Sequence, residues 1–219
     1  MKTFFFLFAI VFLSLATQAF AQTKATLDLF KGIEKNNINL VNAALRAGGD
    51  PDGGNRGSVS STNTAFLKAV SMDRLAIVKL LLDNGANIDQ KMPPNLYNSH
   101  YTGLMIAVKD QQTAMVKLLL SRGADVNAES LLGRTALHIG AFNNSVEEVK
   151  LLLTRPDINV NARPSLCALF VAARQNHYAI VRMLKKQSGS KAVAGPCVEK
   201  AIEVAEKNNS AESLSILNQ

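Results

Sequence analysis

The chain has 219 residues, 47% of them hydrophobic and 19% charged, with 24 Lys and Arg against 17 Asp and Glu. This is too apolar for intrinsic disorder and long enough to bury a substantial core. The positive excess is dispersed, which argues against a basic nucleic-acid tail. Two cysteines are too few for a disulfide scaffold or a four-thiolate zinc site.

The N-terminus reads as an address rather than as part of a fold. Met1-Lys2-Thr3 supplies one positive charge, Phe4 to Leu15 is an almost unbroken apolar run, and Ala19-Phe20-Ala21 offers small residues where a signal peptidase cuts. The pattern predicts a signal peptide over 1–21, cleaved after Ala21, and a periplasmic or secreted product. The alternative is a retained transmembrane helix. It is disfavoured because the run is short and a small-x-small site follows it, and no second run reaches membrane-spanning length.

Beyond residue 21 the chain repeats itself. Ile77-Val78-Lys79-Leu80-Leu81-Leu82-Asp83-Asn84-Gly85-Ala86-Asn87 recurs as Met115-Val116-Lys117-Leu118-Leu119-Leu120-Ser121-Arg122-Gly123-Ala124-Asp125. Weaker copies centre on Val41, Val149, Val181 and Leu214. Along the chain these six anchors are separated by 37, 38, 33, 32 and 33 residues. Each broad apolar face is wider than one amphipathic stripe requires, so each helix is expected to pack on its own partner and on the next unit. Gly85 and Gly123 sit where a left-handed residue ends a helix, and the pairs Asn87/Asp89 and Asp125/Asn127 are suited to the turns that follow.

Each unit also has a first half. Thr135-Ala136-Leu137-His138-Ile139-Gly140-Ala141 is the clearest, beside Thr64-Ala65-Phe66-Leu67, Thr102-Gly103-Leu104-Met105 and Cys167-Ala168-Leu169-Phe170. These approach the pattern Thr-Pro-Leu-His-x-Ala, so the chain resembles the ankyrin repeat family from about Leu27 to Leu217. The resemblance implies an all-α solenoid of about six helix-turn-helix repeats with projecting β-hairpin or loop fingers. The repeats fall at about 24–52, 60–89, 98–127, 131–161, 163–188 and 196–219, within one domain over 22–219. The first and last are expected to be polar-faced caps. Residues inserted between Asp52 and Thr62 and between Gln90 and Tyr101 lengthen two fingers.

Few residues suggest chemistry. His138 stands at the family's structural His position and His177 in an inter-helix turn. His100, alone in a finger with no ligand-spaced Cys or carboxylate, reads as a contact residue rather than a metal ligand. No Gly-x-Ser-x-Gly, P-loop or His-Glu-x-x-His pattern occurs, so no catalytic residue, metal or cofactor is expected. Sparse aromatics and scattered charge give no nucleic-acid surface. Cys167 begins the first half of repeat five, and Cys197 lies three residues before the matching position of repeat six. Matching positions in adjacent repeats lie about 10 Å apart, too far for a bond, but the offset and the irregular 188–196 segment shorten that gap. Two readings stay open: a disulfide clamping the last repeat, or two small buried hydrophobes.

The resemblance further implies protein binding through finger tips and inner helices. Carrying the family's variable positions onto this chain gives Met72, Tyr101, Lys109, Leu131, Leu132, Arg134, Phe142, Arg163, Leu166 and Arg174, to which the long finger adds Tyr97 and His100. Apolar residues at positions expected to face solvent, interleaved with arginines, suggest an interaction site for an acidic partner. For Leu131 and Leu132 the alternative is packing under their own finger. The expectation is a monomer that binds a periplasmic or secreted enzyme, as an inhibitor or immunity protein of a hydrolase such as a peptidoglycan peptidase. The alternatives are a scaffold that stabilises an envelope enzyme, or a secreted effector that binds a host protein.

Overall fold

A computed structural model describes residues 21–53, 64–92, 100–162, 166–187 and 192–219. The segment read as a signal peptide lies almost wholly outside them, as do Tyr97 and Arg163. Two compact units divide the chain, the first ending at Gln90 and the second running from Lys91 to Gln219.

The first unit holds two helix pairs. A helix described over 21–34 (α1) pairs with α2, Ile38–Arg46, and α3, Ala65–Ser71, pairs with α4, Leu75–Asp83. Leu29, Ile33, Val41, Phe66, Leu67, Val78 and Leu81 form its core, all essentially inaccessible. The Thr64 hydroxyl caps α3 by accepting from the Leu67 N–H, as an N-cap Thr does. Asn37 does the same for α2.

The second unit stacks four pairs: α5, Gly103–Lys109, with α6, Thr113–Ser121; α7, Ala136–Asn143, with α8, Val146–Thr154; α9, Ala168–Arg174, with α10, Tyr178–Lys185; and α11, Gly195–Lys207, with α12, Ala211–Leu217. The first helix of each pair packs on the first helix of the next, α5 on α7 on α9 on α11. Burial follows position in the stack. In α5 every residue from Gly103 to Val108 is buried, because neighbours flank it on several sides. Only Cys197, Ala201 and Ala205 are buried in α11, a single stripe at four-residue spacing. Its exposed face has Glu199, Glu203 and Glu206, as suits a terminal cap. Pro196 opens α11 in the first turn, where a missing N–H leaves no partner unsatisfied.

Turns repeat as faithfully as helices. Between the two helices of every pair stands one left-handed residue: Asn36, Asp73, Gln111, Asn144, Asn176 and Asn209, with φ between 50° and 59°. Asn and Asp tolerate this conformation best after Gly, and they fill five of the six positions. At the far end of α2, α4 and α6, Gly48, Gly85 and Gly123 adopt φ near 85°. The next N–H then reaches back across the last turn, as from Ala86 to the Leu81 carbonyl and from Ala124 to that of Leu119, which closes the helix.

Where they are described, the fingers are turns rather than ribbons. Among the described residues there is no strand; Lys91 and Thr102 form an isolated antiparallel bridge. Within each finger a first Asp or Asn folds the turn. Asp50, Asn87, Asp125 and Asn159 each accept from the N–H two residues on. A second Asp or Asn then clasps the following finger. In the first unit the Asp52 carboxylate accepts from the Asn87 N–H at 3.0 Å. In the second unit Asn127 accepts from the Asn159 N–H at 2.7 Å and donates to the Asp157 carbonyl at 2.7 Å. Asn161 likewise accepts from the Ala194 N–H and donates to the Ala192 carbonyl.

Cys167 and Cys197 are joined as a disulfide, with Cα atoms 6.2 Å apart. The bond ties the start of α9 to the first turn of α11, and both residues are buried. Among the described residues no helix is long and apolar enough to cross a membrane.

Candidate protein-binding surface

Three successive first helices of the second unit position the site. Thr102 caps α5 through the Met105 N–H, and Thr135 caps α7. In α7 the His138 ring returns the favour: its Nδ1 accepts from the Thr135 N–H at 3.3 Å, a reciprocal box at the helix start. The inter-helix turns hold neighbouring pairs in register. Ser145 donates to the Val108 carbonyl, His177 Nδ1 to that of Ala141 and Asn208 to that of Arg174, each reaching into the preceding pair. Both histidines are therefore structural, one within a repeat and one between repeats.

On the face formed by α5, α7 and α9 lies a cavity of about 260 Å³. Tyr101, Lys109, Arg134, Phe142, Leu166 and Arg174, six of the positions expected from sequence, line it together. They come from repeats three, four and five, and the stacking brings residues up to 73 positions apart onto one wall. His138, Ile139, Asn143, Phe170, Val171 and Gln175 complete the lining.

The chemistry of the cavity is graded with depth. His138, Ile139, Val171 and Tyr101 are buried and form its floor, whereas Lys109, Phe142 and Arg174 are exposed at its mouth and Arg134 is half-buried. Among the described residues that line it there is no carboxylate. Lys109 has an ion pair with Asp110 at 3.1 Å on the exposed surface, a contact of little energetic weight. Among the described residues neither Arg134 nor Arg174 has a carboxylate partner. Among the same residues no group of His, Cys, Asp or Glu gathers in a way that would hold a metal ion.

Not every expected contact residue belongs to this surface, and one belongs differently. Tyr101 was expected to face solvent, but only 8% of it is accessible. Its carbonyl accepts from the Met92 N–H at 2.8 Å, so it stands at the closed base of the long finger, not on its tip. Leu131 and Leu132 do not pack under their own finger: each is 58% exposed, and neither lines the cavity. His100, in a left-handed turn with φ 63°, is half-buried and outside the lining. Met72 ends α3 in the first unit.

Phe170 and Val171 were not singled out from sequence as site residues. The signal was present, because Phe170 stands three residues after Cys167 as His138 stands three after Thr135. Both side chains line the cavity, one as an imidazole and one as a phenyl ring.

Stacked helix pairs, left-handed inter-helix turns, projecting turn fingers and a recessed face on the first helices define a helical-repeat protein-binding module. The family model described as Ankyrin repeats (3 copies) matches residues 29–130 and 104–195. The chain belongs to the ankyrin repeat family, whose repeats mediate protein–protein interaction and whose members are typically non-enzymatic. A comparison with curated proteins found no match.

Proposed function

We propose that the chain is an exported, non-enzymatic binding protein whose third to fifth repeats hold an acidic and apolar segment of a partner protein. The observation that carries this reading is the cavity: cations at its mouth, apolar groups at its floor, and no acid of its own to neutralise Arg134 and Arg174. Aromatic residues and arginines around a recessed pocket are the composition of interface hot spots. Export is supported by the Met1–Ala21 pattern and by the pairing of the only two cysteines, which suits an oxidising compartment.

The finer proposal is that the partner is an envelope hydrolase, such as a peptidoglycan peptidase, and that binding occludes it. A rigid face of stacked helices loses little conformational freedom on docking, which favours tight occlusion. The test is recovery of partners from envelope extract with the wild-type protein and with a Phe142→Ala/Arg134→Gln variant. Tyr101 is left intact because its burial would confound binding with stability. Recovery of a hydrolase by the wild type alone, with its activity suppressed in the complex, is the expected result. A bound hydrolase that stays fully active refutes occlusion and leaves a scaffold. Equal recovery by both proteins refutes the assignment of this face.

A further inference from the structure

At about 260 Å³ the cavity is close to the lower end of small-ligand pockets, roughly 300 Å³, and has room for one large side chain. That single side chain meets two chemistries. Ile139 and Val171, both buried, give the floor its apolar part beside His138 and Tyr101, while Arg134 and Arg174 stand nearer the mouth. An internal Leu or Phe of a partner satisfies the floor and leaves the arginines unmatched. An internal Asp or Glu does the reverse. A phosphotyrosine carries both features, but its charge lies at the far end of the ring and would be carried to the floor, away from the arginines nearer the mouth.

One kind of residue has its charge next to the backbone and its apolar bulk beyond it: the last residue of a polypeptide. We infer that this cavity captures the C-terminal residue of the partner, an apolar or aromatic one. Its side chain passes Phe142 at the mouth and fills the floor over Ile139 and Val171, and its terminal carboxylate accepts from Arg134 and Arg174. Guanidinium groups suit this role because they donate in a planar fork that matches a carboxylate. The inference rests on the protein-binding reading above and narrows it to a chain end.

Three peptides test it against the full-length protein, with the methyl resonances of Ile139 and Val171 as the readout. They are N-acetyl-Gly-Gly-Gly-Phe as the free acid, the same peptide as its C-terminal amide, and N-acetyl-Gly-Phe-Glu-Gly-amide. The acid is expected to shift both residues saturably and to bind on the order of tenfold more tightly than the amide, the scale of one charge-assisted hydrogen bond. Arg134→Gln and Arg174→Gln are each expected to weaken the acid several-fold and leave the amide unchanged. Phe142→Ala should weaken both.

Equal binding of acid and amide, indifference to both arginine substitutions, or no saturable shift with the acid overturns the inference. If the internal Phe-Glu peptide binds as well as the acid, capture of a chain end is refuted while protein binding at this face stands. The broader reading falls only if the Phe142→Ala/Arg134→Gln protein still recovers its partner from extract.

Discussion

Removing the Cys167–Cys197 bond should loosen the end of the second unit and leave its beginning as it is. The two cysteines are 30 residues apart in sequence. If repeats five and six opened together, the whole intervening loop would be freed, and chain-entropy arithmetic puts the stabilisation at about 3.6 kcal/mol. If repeat six opened alone, α9 and α10 would stay folded. The bond would then restrain only the roughly twelve residues from Lys185 to Cys197, for a contribution of about 3 kcal/mol. Native-state hydrogen exchange distinguishes these regions amide by amide. In a Cys167→Ala/Cys197→Ala protein, the slowest amides of α11 and α12 should lose roughly 100-fold or more of their protection, while those of α6 and α8 stay within about threefold. The localisation follows from the stack, since each pair contacts only its neighbours. A loss below about tenfold at α11 would refute the loop argument, and an equal loss throughout the second unit would refute the localisation.

Two further substitutions probe the packing and the fingers. A Cβ added at Gly140 would stand 2.7 Å from Val149 Cγ2 and 3.2 Å from Val108 Cγ1. Gly140→Ala therefore sets a helix-propensity gain of about 1 kcal/mol against an overpacking cost of about 1–3 kcal/mol. The expected net loss is about 1 kcal/mol in urea unfolding, and a stabilised variant would contradict the close approach. Burial raises the Asp52 carboxyl above the ordinary carboxylate range; the Asn87 N–H pulls it down and Asp50 raises it further. The folded state thus keeps a proton that the unfolded chain has released, and stability falls as pH rises through that range. Asp52→Asn keeps an acceptor for Asn87 without this dependence, so in urea melts the variant should gain on the wild type between about pH 3 and pH 6. The opposite trend would show that the hydrogen bond outweighs burial.

The repeat was legible because it is one-dimensional: a unit that must bury the same faces against the same neighbours returns to the same residues. The left-handed residues Asn36, Asp73, Gln111, Asn144, Asn176 and Asn209 have the same spacings as the apolar anchors, so conformation and core share one period. The small residue facing Val149 recurs as well, as Gly32, Ala69, Ala107, Ala172 and Ala205 in the other units. What sequence reading could not supply was which positions converge. Tyr101 lines the cavity as expected, but its burial was not legible: it stands at a finger base closed by a backbone bond to Met92, and backbone pairing leaves no mark on side-chain pattern. The clasps made by Asp52, Asn127 and Asn161 were hidden for a related reason. Each partner is a main-chain N–H, and every non-proline residue has one.

Those clasps also bear on how such an array can change over generations. At the two seams in the second unit, Asn127 and Asn161 make the same pair of bonds to whatever backbone follows them. A segment bounded by these seams presents one plug and one socket, and neither specifies the side chains of its neighbour. Unequal recombination there would duplicate or delete a segment and still leave matching couplings at the joint. The length of the array is thereby freed from the identity of its members, and the residues lining the cavity can diversify without reworking the seam.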